Sequence, residues 1–253
     1  MISSIMKINR RVFIILFWLL IWGAVSFYIN NPVLFPSPKS TFISLLNLIV
    51  QKYFWVTIFS SVSRVVMGLL FSILLGIILG LCSGINVYLE EILMPLISAI
   101  KATPVMSIII LALVWFKASN VSIFTTVLIC FPIIYTNVVE GIKSTDLNLL
   151  QMANIYNVKK IYIVKDIYIP NIKTYVESSI LMCLGLAFKV SVASEVLSTP
   201  KYSIGLNILN SKSMLETEEL FAWTIVVIIL SLLFEVIFKI YIKNSHSLRR
   251  CHE

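Results

Sequence analysis

Lys101, just before a Thr-Pro step, and Lys189 and Glu195, six residues apart, are ionisable side chains inside otherwise apolar stretches. A charge at the centre of a bilayer costs about 2.5–3.5 kcal/mol on insertion scales, so such groups usually face a hydrated cavity or a partner. The chemistry open to them is the solvation of a passing polar solute, not the making of bonds. Pro104 removes a backbone hydrogen bond beside Lys101, and irregular backbone at membrane depth is tolerated where water or protein satisfies it. Lys101, Pro104, Lys189 and Glu195 are therefore candidate solute-path residues, with a snorkelling Lys189 and an interfacial Glu195 as the alternative. Catalysis lacks the means: the only histidines, His246 and His252, sit in a basic tail with Cys251, while Cys82, Cys130 and Cys183 lie in apolar segments. No metal site and no cofactor is expected from these residues. The chain also has no G-x-x-x-x-G-K-[ST] phosphate loop, so any use of ATP must come from another chain.

A second group of residues lies outside the apolar segments, in a loop over 141–170. Asp146 is a plausible N-cap, and Leu149, Leu150, Met152, Ala153 and Tyr156 share one face of a helix over 147–156, with Asn148, Gln151 and Asn154 opposite. Asn157 comes next, a residue that tolerates the left-handed conformation that ends a helix. A second short helix is expected from Val158 to Ile169, ended by Pro170, which disfavours helical geometry at the residue before it.

The elements that carry these groups can be read from composition. With 59% hydrophobic and 13% charged residues and a mean hydropathy of +0.97, the chain is a polytopic, all-α membrane protein. Its 253 residues leave room for about six spans and no large soluble domain. They are expected at about 12–29, 56–84, 91–116, 121–140, 171–197 and 218–242, in a single domain over 1–253. The first apolar run is too long, and too rich in bulky Trp18 and Trp22, for a cleaved signal, and is expected to be retained. Ser37 and Pro38 open an interfacial helix with Phe42, Leu45, Leu46 and Ile49 on one face. Gly68, Ser72, Gly76, Gly80 and Gly84 recur every fourth residue, a ridge that lets another helix approach closely, within the chain or across a dimer. The net charge of +8 is sorted by topology: most Lys and Arg fall in the N-terminus, the 141–170 loop and the C-terminus, which makes that side cytoplasmic. Nucleic acid is not the expected partner; the lipid bilayer is.

The loop resembles that of the permease subunits of bacterial ABC importers, whose pattern is E-A-A-x-x-x-G, nine residues, then I-x-L-P. Gln151, Met152 and Ala153 occupy the E-A-A positions, Asn157 the Gly, and Ile167, Ile169 and Pro170 the I, L and P. Leu34-Phe-Pro-Ser-Pro, the glycine-rich Ser61 to Gly84, Lys101-Ala-Thr-Pro, Trp115-Phe, Ala193-Ser-Glu195 and Ser203-Ile-Gly-Leu206 resemble, in order, the nitrate, sulfonate, taurine and bicarbonate branch of those permeases. The resemblance implies a transport subunit of the bacterial inner membrane, not an enzyme. It implies two permease copies, a homodimer being expected, around one path. It also implies two ATPase subunits docked on the loop helices, with Tyr156 in the contact, and an extracytoplasmic solute-binding protein. The solute implied is a small anion of the nitrate, sulfonate or taurine kind, or a heterocycle such as a thiamine precursor. A self-contained secondary transporter or channel is the alternative, since intramembrane charges suit it too.

Overall fold

The structure, a computed structural model, describes the backbone of residues 2–250 and the side chains of 13–244. The basic side chains at 7, 10, 11, 249 and 250, which enter the orientation argument, and the tail residues His246, Cys251 and His252 lie outside the described side chains. Among the described residues every regular element is a helix. In chain order these are α1 (Ile2–Ile29), α2 (Pro38–Ile49), α3 (Lys52–Ile85), α4 (Val87–Ala102), α5 (Val105–Trp115), α6 (Ala118–Lys143), α7 (Leu147–Ile155), α8 (Lys160–Ile163), a π-helical turn (Val164–Tyr168), α9 (Ile169–Ser198), α10 (Ile204–Ser213) and α11 (Thr217–Arg250).

Among the described residues four helical runs are long and apolar enough to cross a membrane: Lys52–Ile85, Ala118–Lys143, Lys160–Ser198 and Thr217–Asn244. The apolar part of α1, Phe13–Ile29, is shorter. The span expected at 91–116 is not continuous: α4 and α5 meet at an angle of 103°. Pro104 has no N–H to give and pushes Thr103 into extended geometry (ψ 129°), while the Thr103 hydroxyl donates to the Ala99 carbonyl at 2.7 Å and closes the end of α4.

The centre of the bundle is α3, α6 and α9. The small-residue ridge of α3 is used inside the chain, against α6. A Cβ on Gly68 would lie 2.7 Å from Thr126, one on Gly76 2.7 Å from Ile134, one on Gly80 2.8 Å from Val138 and one on Gly84 2.5 Å from Ile142. Ser72 fits the same line because its hydroxyl turns back to the Gly68 carbonyl at 2.7 Å. In lipid, where burial of apolar surface gives no drive between helices, this approach supplies the dispersion contacts. On the other side of α6, the Ser122 and Ser191 hydroxyls meet at 2.6 Å, as do those of Thr125 and Ser194. These hydroxyl pairs lock α6 to α9. Apolar packing continues below them through Cys130, Ile134, Val138, Cys183, Leu184 and Phe188.

At one end of the bundle lies the 144–168 loop. At the other, α2, α10 and the start of α11 cover the core, with Trp223 fully buried against Phe54. Ser37 caps α2 as its sequence suggests, accepting from Ser40 N at 3.1 Å. Its buried positions are Thr41 and Leu48, while Phe42 and Leu46 remain exposed. α1 joins the rest at this end, where Trp22 donates to the Pro36 carbonyl at 3.0 Å and its ring meets Phe221.

Candidate functional site

The loop is built from a helix hydrogen-bonded at both ends. Asp146 Oδ1 accepts from Asn148 N at 2.8 Å and starts α7. At its far end Asn157 has φ 52°, and Val158 N donates back to the Ala153 carbonyl at 2.9 Å, the long hydrogen bond of a left-handed helix stop. Ala153 is buried against the chain's own body, whereas Leu149, Met152, Ile155 and Tyr156 are exposed. Gln151 is exposed too. The helix thus spends one small residue on its own protein and leaves a strip of large apolar residues uncovered.

Beyond Asn157 the chain departs from the expected short helix ending at Pro170. Lys160–Ser198 is one helical run of 39 residues, and Pro170 lies in its interior. The π-helical turn over Val164–Tyr168 just before Pro170 is the reason: a wider turn accommodates both the ring and the missing N–H, so Ile169 keeps helical angles (φ −59°, ψ −45°). Ile167 is half-buried, while Ile169 and Pro170 are exposed. Asn171 fixes this join to α6, donating to the Gly141 carbonyl at 2.6 Å and to the Thr145 hydroxyl at 3.0 Å. The loop is therefore joined by hydrogen bonds to α6 and by a continuous helix to α9.

The ionisable groups separate into two kinds. Glu195, expected on the solute path, is instead wholly buried and paired. Arg64 Nη1 on α3 donates to its Oε1 at 2.8 Å, and Ser61 Oγ to its Oε2 at 2.8 Å. The Gly205 N–H at the start of α10 also donates to Oε2, at 3.2 Å. The Arg64 guanidinium reaches on to the carbonyls of Lys201 and Tyr202, and Ser61 Oγ accepts from Ile204 N at 2.9 Å. A carboxylate at a helix N-terminus, with a guanidinium facing it, ties α3, α9 and α10 together. The tight seat of Gly205, where a Cβ would come within 2.5 Å of Glu195, shows how closely α10 is drawn in.

Lys189 is different. It is exposed, on a face of α9 that also carries Ser178, Met182 and Ala193, and Gly185 on that face has nothing within 4 Å of its Cβ position. Lys101 is exposed at the end of α4, its Nζ 3.5 Å from the Thr136 hydroxyl of α6. Pro104 is exposed at the break. The structure therefore does not bring Lys189 and Glu195 into one site. Sequence reasoning missed Arg64 and Ser61, which stand 131 and 134 residues from Glu195. The one available signal was an unpaired arginine inside a span.

A helical bundle with apolar spans and a capped helix bearing an exposed apolar strip at one end agrees with the permease pattern read in the sequence. The chain belongs to the family described as binding-protein-dependent transport system inner membrane component, whose sequence pattern matches residues 72–247. It is 21% identical to the taurine transport system permease protein TauC of Escherichia coli over 85% of this chain and 80% of that protein. A Bacillus subtilis permease protein named for aliphatic sulfonate transport, SsuC, is 23% identical over 84% of this chain and 76% of its own length. The bicarbonate transport system permease protein CmpB of Synechococcus elongatus is 24% identical over 60% of this chain and 55% of its own. The chain is thus a multi-pass inner-membrane permease subunit of an ABC importer, in the branch its motifs resemble.

Proposed function

We propose that two copies of this chain form the translocation path for a small oxyanion, with a sulfonate such as taurine or an aliphatic sulfonate as the first candidate. Two separate ATPase subunits dock on the α7 helices, and an extracytoplasmic binding protein delivers the solute at the α10 end. The observation that carries this reading is the exposed strip Leu149, Met152, Ile155 and Tyr156 on a helix capped at both ends. A lone membrane carrier has no use for a rigid apolar helix outside the bilayer, whereas a nucleotide-driven partner needs one to push on. Asn157, Ile167, Ile169 and Pro170 belong to the same coupling unit, since the loop continues into α9 through them. The basic N-terminus, loop and C-terminus favour a cytoplasmic position for all three.

Lys189 supplies a positive point on the path. It is exposed on a face of α9 with Ser178, Met182, Gly185 and Ala193, where a charge would be costly against lipid and is suited to a hydrated lining. The test is ATP-driven uptake of radiolabelled taurine and methanesulfonate by vesicles containing permease, ATPase and binding protein. Lys189→Arg should keep most of the uptake. Lys189→Leu should lose it by about tenfold, the worth of roughly 1.4 kcal/mol, with assembly unchanged. Equal uptake by the Leu and Arg variants would remove Lys189 from the path.

A further inference from the structure

Between the coupling loop and the end of α3 lies a hollow of about 220 Å³. Ile85 closes it from α3, Leu150 and Asn154 from α7, and Lys160, Ile163 and Val164 from the start of the helical run into α9, where Tyr168 completes the wall. Lys160 is the one charged residue of this wall, which contains no carboxylate. Lys160 and Asn154 are both exposed, so their donors are open to a ligand. Neither Lys160 nor its neighbour Lys159 forms an ion pair among the described residues. Asp166, the carboxylate closest to them in sequence, is exposed and takes no part in the wall.

The hollow stands at the boundary between membrane and water. From Trp55, exposed near the other end of α3, to Ile85 the helix rises about 45 Å, which is the thickness of a bilayer with its headgroups. Tyr88 and Tyr162, close in sequence to Ile85 and Ile163, are exposed, as tyrosines are at headgroup level. Along α3 an apolar stripe of Phe71, Leu74, Ile78, Cys82 and Ile85 shares one helix face, lies uncovered by this chain and leads to the hollow. The volume is below the roughly 300–1,000 Å³ of ordinary small-molecule sites, so the hollow fits the headgroup end of a larger molecule better than a whole solute.

We infer that this hollow is a binding site for an anionic phospholipid. The phosphate accepts hydrogen bonds from Lys160 and Asn154, with Lys159 adding to the positive field, and the acyl chains lie along the α3 stripe. A free phosphate shares the headgroup chemistry but has no use for the stripe. Bound there, the lipid joins α7 to the end of α3. Met152 and Ile155 are not in the wall, so the inference does not depend on what covers the outer strip of α7.

The test uses the full-length chain in phosphatidylcholine nanodiscs doped with phosphatidylglycerol that carries a diazirine near the ester end of one chain. Peptide mass spectrometry then locates the label. It should fall on Ile85, Ile163 or Val164, and the same probe built on phosphatidylcholine should label these residues several-fold less. Both probes should label Ile229 and Leu232, exposed on α11, equally well. Lys160→Gln should lower the phosphatidylglycerol label in the hollow about fivefold, the effect of one lysine at an anionic membrane surface, and adding Lys159→Gln should lower it further. Lys160→Arg should keep the label. Leu150→Trp fills the hollow without changing its charge and should lose the label. The α11 label should be the same in every variant. If Lys160→Gln fails to give a monodisperse protein, Lys160→Arg and Leu150→Trp still decide the matter. Equal labelling of the hollow by the two headgroups overturns the inference, as does label that persists in Lys160→Gln or in Leu150→Trp. Displacement of the probe by inorganic phosphate as fully as by phosphatidylglycerol, at matched ionic strength, would assign the hollow to a soluble anion and also overturn it.

Discussion

Single residues in this protein hold positions that a neighbour in sequence could not explain. Glu195 is held in a dry place by Arg64, Ser61 and the start of α10. Removing one partner of such a buried pair leaves an uncompensated charge, at a cost of about 3–5 kcal/mol, whereas an apolar replacement of both is far milder. Arg64→Ala should therefore lower the thermal stability of the detergent-solubilised protein sharply, with the double change Arg64→Met, Glu195→Leu losing much less. Equal losses would mean that the pair is not the structural tie described. Asn157 is a second such position. Its φ of 52° is mildly unfavourable for Asn, free for Gly and poor for a β-branched residue. Asn157→Gly should retain coupling of ATP hydrolysis to uptake, and Asn157→Val should reduce it, as measured in vesicles. The corner at Asn157 was readable from the residue type and the helix before it. The Arg64 tie was not, because a contact across 131 residues leaves no trace in spacing.

At the scale of elements, the α3–α6 contact is the most extensive among the described residues and the one most open to a direct test. On Gly80 a new Cβ would sit 2.8 Å from both Val138 Cβ and Cγ1, and 3.2 Å from the Tyr135 carbonyl. The obstacle is the root of a stiff side chain plus backbone, so the helices must part. Overpacking of this kind costs about 1–3 kcal/mol. Gly80→Ala should lower stability by that amount in a denaturation series, and adding Val138→Ala should restore part of the loss. Additive effects in the double variant would count against direct contact. The ridge was legible as a ridge, but its partner was not: small residues every fourth position announce a close approach without saying to what. The prolines show the same limit. Pro104 was readable as a break, and the structure adds its 103° bend. Pro170 looked like a stop of the same kind, yet the π-helical turn before it lets the helix run on into α9. Whether a proline ends a helix depends on the turn before it, which residue types alone did not disclose.

For the molecule as a whole, the parts are joined from the loop to the far end of the bundle. α7 is capped, seated through Ala153 and continued through the π-helical turn into α9. α9 is bonded by paired hydroxyls to α6 and by Glu195 to α3 and α10, so contacts run without a break from the loop to the opposite end of the bundle. In the proposed reading, the exposed apolar strip of α7 is where a partner ATPase would push. Because Ala153 faces inward, a charge there would disturb the chain's own packing, and the outward residues are the proper targets. The most direct measurement is ATPase retained on affinity-purified permease after Met152→Asp and Ile155→Asp, each made alone and together, with Lys165→Asp as an exposed control. Burying an unpaired carboxylate at a dry contact costs several kcal/mol, so each strip variant should lose most of the bound ATPase while the permease itself stays monodisperse. Lys165→Asp should retain the ATPase. Undiminished ATPase on the double strip variant would contradict the claim that α7 is the point at which this permease is driven.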